Sequence, residues 1–172
     1  MSDEIKNAAA ADVSPTVALF QKAVKADPKA ANNYNNLGLA YKGAGKMDEA
    51  VKAFSDAIAA EPNNAAGYVN RGVAYTAQGK YDNAIEDLDK VIKMNPDNNS
   101  AYRFRAFAYL QKKDYAKAVE DYNVVLKEKQ NDDAILDRRA FALWNLKEYD
   151  KAVADFTQII KDKPQDKEGY LD

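Results

Sequence analysis

Apolar and polar positions recur along this chain with two periods at once, a helical one of three to four residues and a longer one of 34. Between Ala65 and Asn98, Tyr68, Val69, Val73 and Tyr75 form an apolar stripe at helical spacing. Gly79 interrupts the pattern, and Ala84, Ile85, Leu88, Val91 and Ile92 form a second stripe before Pro96. The set Tyr68, Gly72, Tyr75, Ala84, Leu88 and Pro96 occurs 34 residues earlier as Tyr34, Gly38, Tyr41, Ala50, Phe54 and Pro62. It returns later as Tyr102, Ala106, Tyr109, Ala118, Tyr122 and Gln130, and again as Leu136, Ala140, Leu143, Ala152, Phe156 and Pro164. Four copies in register predict stacked two-helix units, none able to bury its apolar face alone.

The fold expected is therefore all-α. First helices are predicted near 31–44, 65–78, 99–112 and 133–146, and second helices near 48–60, 82–94, 116–128 and 150–162, with Asp82 as a cap. The repeats span 31–64, 65–98, 99–132 and 133–166, together one domain. Ser14 followed by Pro15 reads as a helix start, with Ser14 as N-cap. Val17, Phe20 and Val24 continue that helix, and Asp27 and Pro28 end it. Pro28 lies 34 residues before Pro62, where the second helix of a preceding repeat would stop. Residues 1–30 thus read as a tail followed by a lid helix, and 167–172 as a truncated capping segment. A residue larger than Ala at Gly72 would hold two helices apart, while Tyr68, Tyr75 and Leu88 fill the space between units. Gln130 breaks the proline series, which predicts a less rigid joint between the third and fourth repeats.

Composition narrows the chemistry. The 25 basic and 27 acidic residues give a net charge of −2, with no overall attraction to nucleic acid or anionic lipid. No apolar run approaches the ~20 residues of a membrane span, and Met1 to Val13 lacks the apolar stretch of a signal peptide; a cytoplasmic location is the expectation. The chain has neither His nor Cys, so the usual general base, the thiolate nucleophile and the commonest metal ligands are missing. No phosphate loop or metal-ligand spacing is present. Neither an enzyme nor a cofactor is expected.

The five arginines are sorted. Arg71, Arg103, Arg105, Arg138 and Arg139 all fall in predicted first helices, whereas the 20 lysines are spread through the chain. Arg71, Arg105 and Arg139 recur at 34, each followed 16 residues later by Asp87, Asp121 or Asp155. The first repeat has Leu37 and Ala53 at those two places, so the charges come and go together. This pattern predicts ion pairs within one repeat. Arg103 and Arg138 belong to no such series and are left for a ligand.

The small, ring and proline positions above, with turns such as Gly79-Lys80-Tyr81-Asp82 and Lys147-Glu148-Tyr149-Asp150, resemble the tetratricopeptide repeat over 31–166. The resemblance implies a right-handed superhelical solenoid whose first helices line a concave groove that takes a peptide of a partner protein. Matched to the family's inward positions, the groove would present Asn35, Asn36 and Asn70 in its first half. Its second half would present Arg103, Phe104, Phe107, Arg138, Phe141 and Trp144. Asn36 and Asn70 look like the start of an asparagine ladder, which Phe104 and Arg138 interrupt. The family's clamp for acidic chaperone tails needs Lys, Asn, Asn, Lys and Arg where this chain has Asn35, Leu39, Asn70, Ser100 and Phe104, so a chaperone-tail adaptor is not expected.

The aromatic set has two readings, packing against the next repeat or an exposed anchor surface. If exposed, its arginines match a protein or peptide segment carrying an apolar anchor and a carboxylate. The function expected is a noncatalytic protein-interaction scaffold. The alternatives are a structural component that self-associates through uncapped repeat ends, as a homo-oligomer, or the repeat module of a longer chain. Neither nucleic acid nor membrane insertion is expected.

Overall fold

The computed structural model describes residues 14–162. The expected N-terminal tail and the capping segment from Lys167 lie outside the described residues. Among the described residues the chain is all-α: α1 (Pro15–Ala26), α2 (Ala31–Gly43), α3 (Met47–Ala60), α4 (Ala65–Ala77), α5 (Tyr81–Met94), α6 (Asn99–Gln111), α7 (Tyr115–Glu128), α8 (Asp133–Asn145) and α9 (Tyr149–Asp162). Every predicted helix of the four repeats is present, with boundaries moved by one residue. The second helices start one residue early, so Asp82 lies inside the first turn of α5 instead of capping it. Ser14 does occupy the cap of α1, but its side chain makes no capping bond. The side chains that do cap are Asn64, Asn98, Asp114 and Asp132, each accepting from a backbone N–H in the first turn.

Each helix hairpin closes in the same way. Gly45, Gly79, Lys113 and Lys147 take a left-handed backbone, with φ of 74°, 74°, 64° and 63°. The N–H after each one bonds a carbonyl five residues back, as Lys46 does to Tyr41 at 2.9 Å and Glu148 to Leu143 at 2.9 Å. This is the Schellman helix stop, which glycine enters without strain and a side chain does not. Replacing Lys113 or Lys147 by Gly should therefore raise stability by about 1 kcal/mol, read as a higher thermal midpoint. An unchanged or lower midpoint would mean that the lysine side chains repay the strain.

Backbone contacts divide the chain into two compact units, Met1–Lys80 and Tyr81–Asp172. In the first, Phe54 is fully buried against Ala50 and Ala74, with Tyr41, Met47 and Val51 around it. A Cβ on Gly38 would run into the Phe54 ring, so α2 and α3 meet through the glycine. Helix α1 covers α2 by burying Val17 with Leu37 and Ala53. In the second unit one cluster joins α6, α7 and α8 through Ala106, Tyr122, Val125, Ile135 and Leu136. A smaller one, Ala140, Leu143 and Ala152, ties α8 to α9.

Candidate functional site

Two sets of arginines separate by their partners. Arg105 grips Asp121 with both Nε and Nη2, at 2.8 and 2.7 Å, and reaches Asp89 with Nη1 at 2.5 Å. Arg139 repeats the arrangement, holding Asp155 at 2.8 and 2.6 Å and Asn123 at 2.7 Å. Arg71 donates to Ser55 Oγ at 2.9 Å. Each of these side chains therefore reaches 16 residues backward to the previous repeat, and in Arg105 and Arg139 also 16 forward within its own. The sequence reading saw only the forward half. Tyr102 and Tyr109 flank the Arg105 guanidinium at 5.4 and 5.9 Å, and Tyr68 and Tyr75 flank Arg71 at 5.9 and 5.7 Å. The hydrogen bonds it donates to Asp121 keep Arg105 firmly protonated, while burial pushes the Asp121 carboxyl up against those bonds. These are structural bridges.

Arg103 and Arg138 behave differently, since neither makes an ion pair among the described residues. Arg103 is exposed on α6. The Arg138 guanidinium lies over the Phe107 ring at 4.9 Å, so α6 and α8 present their side chains to one another here. Phe107 is half-buried against the α6–α7–α8 cluster, and Phe104 is half-buried beside it in sequence. Beyond them Phe141 and Trp144 are 52% and 55% exposed. Each has an aromatic neighbour at the start of a second helix: Tyr115 meets Phe141 edge-on at 6.2 Å, and Tyr149 meets Trp144 at 4.9 Å. The two readings of the aromatic set divide, with Phe104 and Phe107 half in the core and Phe141 and Trp144 in solvent.

The amides of the first unit differ in exposure. Asn36 is exposed and lines a cleft of about 540 Å³ with Phe20 and Leu39, between α1 and α2. Asn70 is half-buried on α4. Asn35 is 5% exposed, and neither its amide oxygen nor its nitrogen has a hydrogen-bond partner. As it stands, this side chain is closed to a ligand.

One residue of the site escaped the sequence reading. Tyr122 is fully buried, and its hydroxyl has no hydrogen-bond partner. Burial pushes its pKa up to about 12, against the pull of the Arg138 cation, whose side chain lies within reach of the hydroxyl without a well-formed bond, and of Arg103. The only available signal was that its counterparts Phe54, Leu88 and Phe156 carry no hydroxyl.

Tetratricopeptide repeat models match residues 31–64, 65–98, 100–132 and 134–166. The chain belongs to the tetratricopeptide repeat (TPR) family. No curated protein matches the sequence of this TPR protein as a whole. Its fold is shared with solved structures. A crystal structure of MamA is 22% identical with a TM-score of 0.80, covering 99% of each chain. MamA from Desulfovibrio magneticus is 17% identical with a TM-score of 0.80, over 87% of this chain and 85% of that one. PilF of Pseudomonas aeruginosa is 22% identical with a TM-score of 0.74, over 83% of this chain and 65% of that one. At these identities the likeness concerns the fold alone. TPR repeats indicate protein partners, and a protein-interaction scaffold is the general function they support here. Among the described residues no helix of this TPR chain is long and apolar enough to cross a membrane.

Proposed function

We propose that this chain is a noncatalytic scaffold that binds a peptide segment of a partner protein on α6 and α8. An apolar anchor of the segment packs on Phe141 and Trp144, and a carboxylate meets Arg103 and Arg138. The observation that carries this reading is two exposed aromatic rings on the helix that also carries Arg138, which like Arg103 makes no ion pair among the described residues. An arginine fork fits a carboxylate, and large exposed rings at low conformational cost make anchors. Ordering a flexible peptide on an open surface leaves an affinity on the order of micromolar.

The probe is a fluorescent octapeptide ending in Phe-Glu-Asp with a free C-terminus. Joint replacement of Arg138 and Phe141 by Ala should abolish its binding in anisotropy titrations, while helicity and melting stay as they were. Undiminished binding by the double variant would remove this site from consideration.

A second reading rests on α9. Phe156 is 38% exposed, although Phe54, Leu88 and Tyr122 at the same repeat position are fully buried, and Val153 and Ile160 beside it are 55% and 57% exposed. In the first unit that face of α3 takes a first helix, with Ala74 of α4 against Phe54. Another molecule of this chain pressed on α9 would make it a self-associating component. Sedimentation should then show a mass rising with concentration, lost when Val153 and Ile160 are both changed to Glu. A wild type that stays monomeric at every concentration excludes this.

A further inference from the structure

The buried hydroxyl of Tyr122 is a polar group for which the fold has no use. The fully buried ring sits in the cluster that also packs Phe107, and its oxygen finds no hydrogen-bond partner. An unmade hydrogen bond at a buried donor lowers stability, so such groups are rare and call for a reason. The chain itself offers the cheaper solution. The same repeat position holds Phe54 in the first repeat, Leu88 in the second and Phe156 in the fourth, and the Phe54 ring fits with no exposure at all. The third repeat adds an oxygen there, and Arg138 and Arg103, which make no ion pair among the described residues, lie close enough to act on it. Arg138 lies on the ring of Phe107, which packs against the cluster holding Tyr122, and with Arg103 it supplies the positive charge acting on the hydroxyl.

We propose that Tyr122 is a positioning residue for a ligand carboxylate: its hydroxyl oxygen accepts an N–H of Arg138 when the guanidinium turns from Phe107 to the ligand, fixing the edge that faces the carboxylate. This rests on the peptide-binding reading of α6 and α8 and assigns its ligand class, an acidic segment, to a geometry. Turned off Phe107, the guanidinium has all five of its N–H donors available at its rim. A carboxylate takes two of them side by side. The hydroxyl oxygen accepts another at the edge turned away from the ligand, which fixes the orientation of the fork without competing for the carboxylate. The phenol stays protonated throughout the working pH range, so it can accept from Arg138 without adding a second negative charge to the site.

The test uses the full chain and two octapeptides, the one ending in Phe-Glu-Asp with a free C-terminus and a neutral twin with Gln, Asn and a terminal carboxamide. Tyr122→Phe should melt at or above the wild-type temperature and bind the acidic peptide about fivefold more weakly, the worth of one hydrogen bond. Its affinity for the neutral twin should not change. An independent readout needs no variant: the Cζ carbon resonance of Tyr122, which senses a hydrogen bond accepted by the phenol oxygen, should shift in NMR spectra with the acidic peptide and not with the twin. If Arg138→Ala loses the acidic peptide while Tyr122→Phe keeps full affinity and the Tyr122 Cζ resonance is unmoved, the role given to Tyr122 is wrong and the peptide site stands. If the wild type does not prefer the acidic peptide, both are wrong.

Discussion

Phe54→Ala will lower the unfolding free energy by about 3 to 5 kcal/mol, whereas Phe156→Ala, the same change at the same repeat position, will cost clearly less. Both rings follow an alanine at helical spacing and read alike in the sequence. They differ in what covers them. Phe54 has no exposed surface and meets Gly38, whose missing side chain is the space the ring fills. Removing it opens a cavity that α2 and α4 cannot collapse into without giving up their backbone hydrogen bonds. Phe156 already shows 38% of its surface to water, so truncation removes less buried area and leaves less void. Urea titrations followed by circular dichroism measure both. Equal costs would mean that Phe156 is covered in solution, which is what self-association through α9 requires.

Asp121→Ala will cost about 3 kcal/mol, because it removes the buried partner of a guanidinium whose side chain is only 18% exposed and leaves it the exposed Asp89 alone. Asp89→Ala removes the other carboxylate of the same arginine, yet Asp89 is 51% exposed, and its loss should cost no more than about 1 kcal/mol. Chemical denaturation of the two variants decides between this ranking and one set by distance alone, since the Asp89 contact is the shorter, at 2.5 Å. Replacing Arg105 by Leu together with Asp121 by Ala should recover most of the loss. The chain already contains that pair: Leu37 and Ala53 stand at the corresponding places in the first repeat, and both are buried.

The helices were legible because their signal is redundant. Four copies of one apolar pattern fix the boundaries to within a residue, and only the first-turn chemistry of Ser14 and Asp82 misled. The forward arginine pairs were legible because both partners recur at 34. Their backward partners were not, since Ser55, Asp89 and Asn123 are three different residue types that share only the ability to accept a hydrogen bond. Asn35 was placed in the groove by its position in the repeat, and its burial depends on neighbours that a position number does not include. Tyr122 was hidden for a related reason. Periodicity registers a ring at that place, and a ring is there, but its single oxygen contributes nothing to an apolar pattern. Exposure of Phe141 and Trp144 was one of two open readings, because three-residue spacing describes a core stripe and a surface stripe equally well.

The backward reach of the arginines makes the order of the repeats matter. A repeat that carries the arginine needs a predecessor offering Ser, Asp or Asn at the right place, while the first repeat carries Leu37 there and meets the apolar Val17 of α1 instead. Exchanging the first and third segments would set a cation against valine and leave Asp89 without its guanidinium. An engineer wishing to lengthen the chain would start from Thr157, which stands where those acceptors stand and at present spends its hydroxyl on the carbonyl of Val153.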